Sequence, residues 1–167
     1  MDLNKWDLSQ TNFQNDLEKG QIGEKFFIND FSDFFEIDFS NVSKDVEYQK
    51  LKVDFASSLG LFEVKFNYNE LDWITIEEYS NVNNLKPDGW WYKTRATYLV
   101  FVSKYENYPM IFLKMSDDVR KTYEKIKEKY PLEKNKISTS KGNNWQSAYR
   151  KIPLKIFKGH YAKFKKI

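Results

Sequence analysis

Cysteine is absent from the 167 residues of this chain, which excludes a disulfide, a thiol nucleophile and a thiolate-ligated metal. One histidine, His160, is too few for a histidine-based metal site or a catalytic triad, and it sits in the tail, where an incidental role is expected. No signal peptide opens the chain and no apolar run is long enough to cross a bilayer, so a cytoplasmic protein with no membrane partner is the expectation. What is abundant is aromatic (18%) and charged (31%) side chain, the composition of an ordered globular protein. The length fits a single domain over residues 1–167 with one core. Residues 1–19 read as a polar arm ending in a short helix, and no linker or internal repeat is evident.

The net charge is only +3, but its distribution is uneven. Residues 141–167 carry eight of the 27 Lys and Arg and none of the 24 Asp and Glu. A basic end of this kind can hold a polyanion such as nucleic acid, or it can be a solvated, partly frayed tail.

The stretch that organises the rest is 46–68, VEYQKLKVDFASSLGLFEVKFNY, which reads as a hairpin of two strands. Leu51, Val53 and Phe55 alternate with Lys50, Lys52 and Asp54; after a small link at 56–60, Phe62, Val64 and Phe66 alternate with Glu63 and Lys65. Side chains on a strand alternate between faces, so Glu63 and Lys65 share one face and the hairpin can bring Asp54 to them. Two carboxylates and an ammonium gathered there suit a divalent metal and an activated water, or a plain cross-strand salt bridge.

Upstream, residues 21–35 read as a helix with Phe27, Ile28, Phe31, Phe34 and Phe35 on one arc and Glu24 near its centre. A carboxylate on an inward face needs a cation or donors, unless it escapes to solvent from the first turn. Downstream, 72–79 reads as a strand with Ile74, Ile76 and Glu78 on one face and Trp73, Thr75 and Glu77 on the other. Residues 97–102 read as a strand buried on both faces, 109–115 as the next strand, 117–130 as a helix, 132–144 as a polar loop, and 152–157 as a short edge strand or helix start. A mixed sheet flanked by helices, in the α/β class, follows.

Asp54 followed by Glu63-Val64-Lys65 resembles the PD-(D/E)xK nuclease motif, and Gly23-Glu24 is similar to the helix glutamate many such nucleases carry. Phe62–Phe66, Ile76-Glu77-Glu78-Tyr79, Gly89-Trp90, Thr94–Tyr98, Asn143-Asn144 and Ile152-Pro153-Leu154 resemble bacteriophage and prophage members of that superfamily, over residues 20–155. Two departures stand out: Val53 precedes Asp54 where the name of the motif has Pro, and Ala96-Thr97-Tyr98 stands where relatives often have Ala-Asp-Tyr.

The resemblance implies a restriction-endonuclease-like core and a phage- or bacterium-encoded DNA endonuclease. Its metal would be Mg²⁺, with Mn²⁺ substituting, held by Asp54, Glu63, the Val64 carbonyl and Glu24. Lys65 would orient the attacking water or stabilise the pentacovalent phosphorus, and desolvation would lower its pKa enough for a base-like role. Glu78 matches the glutamate of the Glu-Tyr step, either in a structural role or near the metal as an accessory residue, and Thr94 would donate a hydrogen bond beside the site. Lys93, Lys141, Asn143, Asn144, Arg150, Lys151 and Lys155 are candidate DNA contacts, and Trp90-Trp91-Tyr92-Lys93 could stack on bases or belong to the core. Similarity to Holliday-junction resolvases implies a branched-DNA substrate and a homodimer with two sites on opposite strands. A specific duplex site and nicked or packaged phage DNA are the other substrates the resemblance allows. A catalytically inactive DNA-binding module on the same scaffold is the alternative.

Overall fold

The structure, a computed structural model, describes residues 13–32, 36–67, 72–103, 109–140 and 143–164. The chain is mixed α/β. It opens with helix α1 (Phe13–Phe26), which runs on as one π-helical stretch, Phe27–Ser32. The helix expected at 21–35 therefore begins earlier and absorbs the end of the 1–19 arm; 1–12 and 33–35 lie outside the described residues.

Strand β1 (Ser40–Asn41) leads to a one-turn helix, α2 (Val46–Lys50), and then to β2 (Phe55–Ser57) and β3 (Gly60–Asn67). Residues 46–50 thus depart from the expected first strand. The Asp45 side chain caps α2 by accepting from the Glu47 and Tyr48 amides, and the Glu47–Lys50 pair spans the turn, so local capping overrides the alternation read there. The alternation resumes at Val53 and Phe55, both buried. Next come β4 (Trp73–Tyr79), the short helix α3 (Trp90–Lys93), β5 (Tyr98–Ser103), β6 (Met110–Lys114) and α4 (Asp117–Ile126), which Ser116 caps and a 3₁₀ turn, Lys127–Lys129, extends.

The presumed loop at 132–144 contains short pieces of strand: β7 (Glu133–Lys134), β8 (Ser138–Ser140) and the start of β9 (Asn143–Trp145). The expected edge element at 152–157 is the end of β10 (Ala148–Pro153) followed by a 3₁₀ turn, Leu154–Phe157; β10 is central in its sheet rather than at an edge. Strand β11 (Tyr161–Phe164) completes the described chain.

A six-stranded mixed sheet runs in the order β1-β2-β3-β5-β6-β11. All its pairs are antiparallel except β3 with β5, which run parallel and so need a crossover; β4 and α3 supply it. A second sheet, β4-β10-β7, covers one face of the first, and β8 and β9 form a separate ribbon. The described part of the basic C-terminal segment, 143–164, is therefore built into the fold: β10 pairs with β4 from Trp73 to Tyr79 with one bulge, and β11 pairs with β6.

The two faces of the six-stranded sheet bury separate clusters. Phe27, Phe31, Phe55, Phe62, Val64, Val100, Val102, Met110 and Phe112 lie on the α1 side. Phe27 packs against Phe31, Phe39, Phe55 and Phe62 with ring centroids 5.0–5.6 Å apart. Such ring pairs contribute about 0.5–1.5 kcal/mol each beyond the area they bury. Leu99, Phe101, Ile111 and Leu113 point the other way, into a cluster with Ile74, Ile76, Trp91, Val119, Tyr123, Ile152 and Phe157. Gly23 faces Phe66, with its missing Cβ position 3.5 Å from that ring, so α1 lies directly on β3. No helix among the described residues is long and apolar enough to cross a membrane.

Candidate active site

The site forms where β2 parts from β3. The Asp54 amide still donates to the Phe62 carbonyl (2.8 Å), but at the next step its side chain replaces the backbone: Asp54 Oδ2 accepts from the Val64 amide (2.8 Å). Backbone groups two apart on a strand face the same edge, so the Val64 carbonyl is directed toward that edge as well. Glu63 and Lys65 project from β3 on the face of Leu99 and Phe101, their register partners on β5. Asp54, Glu63 and Lys65 together line a cavity of about 270 Å³, whose other walls are Ser43, Gln49, Lys52 and Val53. Glu24 comes from α1, on the other side of the sheet, and lies within electrostatic reach of all three.

Lys65 forms an ion pair with Glu63, whose side chain is only 3% exposed against 30% for the lysine. Its ammonium also stands over the Trp90 ring, 5.5 Å from the centroid. Burial pulls the Lys65 pKa down, but Glu63, Asp54 and Glu77 outweigh it and hold it above the ordinary lysine value. Against the expected fall, Lys65 is held as a cation in the metal-free chain.

The carboxylates go the other way. Burial first, then the Glu63 charge, pushes Asp54 up to about 6, against the partial relief of Lys65 and the Val64 amide. Burial and the Asp54 charge push Glu24 up to about 7. Both groups bind a proton more readily folded than unfolded. The stability they contribute is therefore complete below about pH 4 and is lost as the pH rises through 6 and 7. The expected result is a melting temperature for the metal-free protein whose contribution from this site falls between pH 4 and 7. Added Mg²⁺ should raise it more at pH 8 than at pH 5, as thermal melts across pH with and without the ion would show.

Sequence reading missed Glu77. It shares a face of β4 with Trp73 and Thr75, accepts from the Trp90 amide (3.1 Å), and is pushed up by burial while Trp90 and Lys65 pull it down. The signal was available: alternation on β4 turns Glu77 away from Ile74 and Ile76. Glu78, for which the resemblance allows a structural or a metal-proximal role, faces the interior; it accepts from the Tyr123 hydroxyl (2.7 Å) and lies 3.2 Å from Arg150 Nε. Its role is structural.

The candidate DNA contacts separate. Arg150 is 7% exposed, donates to the Tyr130 carbonyl and pairs with Glu78 and Glu128, so it holds the core rather than a duplex. Its Nε is close to Glu78 without the alignment of a hydrogen bond. Thr94 is fully buried, donates to the Lys52 carbonyl (3.0 Å) and accepts from the Ala96 amide (3.1 Å), which leaves it no role as a substrate donor. Trp91 is core, while Trp90 packs on Phe101 and Tyr92 bonds to Glu124, so the aromatic cluster is chiefly structural. Lys93 pairs with Asp88 (3.2 Å) and Lys151 with Glu133 (3.5 Å); Lys155 and Asn144 are exposed. Asn143 belongs to β9, and Lys141 lies outside the described residues. Thr97, at the step where relatives carry Asp, accepts from the Leu61 amide (3.2 Å) and donates its own amide to the Leu61 carbonyl (2.7 Å), which pins the hairpin to β5.

The donor set fits a hard cation. Among the described residues no group of three or more His, Cys, Asp and Glu is arranged to hold a metal. What the chain offers is two carboxylates on one cavity and a carbonyl at the same edge, with Glu24 behind. Mg²⁺ binds through few protein oxygens and retains waters, and carboxylates that repel one another are relieved by it. No family model, no curated protein and no solved structure matches the chain.

Proposed function

We propose that the chain is a metal-dependent DNA endonuclease built on a restriction-endonuclease-like core. The observation that carries this reading is the convergence of Asp54, just before β2, and Glu63 and Lys65, on β3, on one cavity with Glu24 in reach. The motif resemblance supplies the substrate class.

Asp54, Glu63 and the Val64 carbonyl would hold Mg²⁺ or Mn²⁺, which when bound supplies charge neutralisation at the scissile phosphate and a more acidic water. Lys65, kept charged by its carboxylate neighbours, stabilises the negative charge on the non-bridging phosphate oxygens as water attacks in line. The attacking water gives its proton to bulk water as the phosphorus–O3′ bond breaks, and the leaving O3′ takes one from solvent, giving a 3′-hydroxyl and a 5′-phosphate. Glu24, pushed up to about 7, can exchange a proton with solvent water at the edge of the site near neutral pH. The Val64 amide donates to Asp54 Oδ2 and so holds that carboxylate against the β3 edge.

The rival, a DNA-binding module without turnover, draws on the closed Glu63–Lys65 pair, which occupies an oxygen the metal would need. One assay separates them. Supercoiled, linear, single-stranded and four-way-junction DNA are incubated with the full chain in Mg²⁺, Mn²⁺ or EDTA. Cleavage that EDTA abolishes supports the nuclease, and preference for the junction supports the resolvase-like branch. DNA binding with no cleavage of any substrate establishes the rival.

A further inference from the structure

Lys52 has φ +53°, in the left-handed region where a side chain other than glycine, asparagine or aspartate is strained. The surrounding chain holds it there. Its carbonyl accepts from the buried Thr94 hydroxyl (3.0 Å), its amide donates to the Gln49 carbonyl (3.2 Å), and the adjacent Leu51 carbonyl accepts from the Arg95 amide (2.9 Å). Strain maintained by several contacts is a mark of functional sites, since a glycine here would cost less.

The side chain so placed lines the same cavity as Asp54, Glu63 and Lys65. It is exposed and forms no ion pair among the described residues. The polar neighbours on that wall are committed elsewhere: Gln49 Nε2 donates to the Ser43 carbonyl (2.9 Å) and Ser43 Oγ to Asn41 Oδ1 (2.7 Å). Lys65 is seated on Glu63. Lys52 is felt by Asp54 and Glu77 across the cavity but, among the described residues, is paired with neither, so its ammonium stays open to a ligand beside the acidic groups.

We infer that Lys52 is a phosphate-binding residue, taking the DNA phosphate next to the scissile one. The inference rests on the nuclease reading, whose acidic cavity repels a polyanion unless a cation beside it offsets the repulsion. A lysine suits this task, because its compact ammonium meets a phosphate oxygen without a fixed orientation.

The test is binding of duplex and four-way-junction DNA in Ca²⁺, by fluorescence anisotropy over a salt series, for the full chain and for Lys52→Gln, Lys52→Gly and Lys52→Arg. One lost phosphate contact lowers the slope of log affinity against log salt by about 0.9, which over the decade below 1 M amounts to about eightfold weaker binding at 0.1 M. Lys52→Gln and Lys52→Gly should both show this, and Lys52→Arg should not. Lys52→Gly should melt no lower than the unsubstituted protein, because glycine removes the strain; that separates loss of the ammonium from loss of the fold. Unchanged affinity and slope in Lys52→Gly overturn the inference and leave the nuclease reading to the cleavage assay. No DNA binding by the unsubstituted protein overturns both.

Discussion

Lys65→Met should lower the single-turnover cleavage rate by about 10²–10³-fold, the range for removing one preorganised group that meets transition-state charge. It should not weaken metal binding, because it frees the Glu63 carboxylate of its ammonium partner. Asp54→Asn should behave in the opposite way: cleavage falls to background because the metal is lost. The asparagine oxygen can still accept from the Val64 amide, so the strand edge survives. In the metal-free state at pH 8 this variant should even melt higher than the unsubstituted chain, since it removes a buried charge that Glu63 opposes. Rate loss with a raised melting point distinguishes a site defect from a folding defect. A pair in which both variants cleave normally would remove Asp54 and Lys65 from the chemistry.

The largest effect on stability is expected at Arg150. Arg150→Ala leaves Glu78, 3% exposed at its side chain, as a buried carboxylate whose remaining side-chain partner among the described residues is the Tyr123 hydroxyl. Breaking a buried pair from one side costs about 3–5 kcal/mol, and denaturant melts would read it. Lys155→Ala, at an exposed position, should stay within about 0.5 kcal/mol. If instead Arg150→Ala folded normally and lost DNA affinity, the arginine would belong to the DNA surface after all. Replacing both partners together, Glu78→Met with Arg150→Met, should recover much of the loss, because no unpaired charge remains.

Much of this arrangement was legible in the residue order, for definite reasons. Period-two alternation at 62–66 places Phe62 and Val64 against α1 and turns Glu63 and Lys65 to the other face, as found. The same rule puts Ile74, Ile76 and Glu78 on one buried face of β4. Applied to Ala148, Arg150 and Ile152, it would have turned Arg150 inward on the face of Ile76, its register partner, and within reach of Glu78; the basic surroundings of the segment hid that, because net charge says nothing of which lysine or arginine is enclosed. Helix α2 was masked by the apparent alternation around Lys50, although Asp45 is a strong capping residue placed at its start. The π-helical continuation of α1 depends on aromatic packing from Phe39, Phe55 and Phe112, which are distant in sequence. The sign of the Lys65 shift was out of reach as well. It is a balance of burial against three carboxylates, and one of them, Glu77, arrives from the second sheet.

The account depends on Asp54 and Glu63 sharing a cation. The most direct measurement is calorimetric titration of Mn²⁺ into the metal-free full chain at pH 8, alongside Asp54→Asn and Lys65→Met. Saturable binding that Asp54→Asn abolishes and Lys65→Met retains or tightens is the predicted result. Binding of equal strength in the unsubstituted chain and Asp54→Asn, or no binding in any of the three, would contradict it.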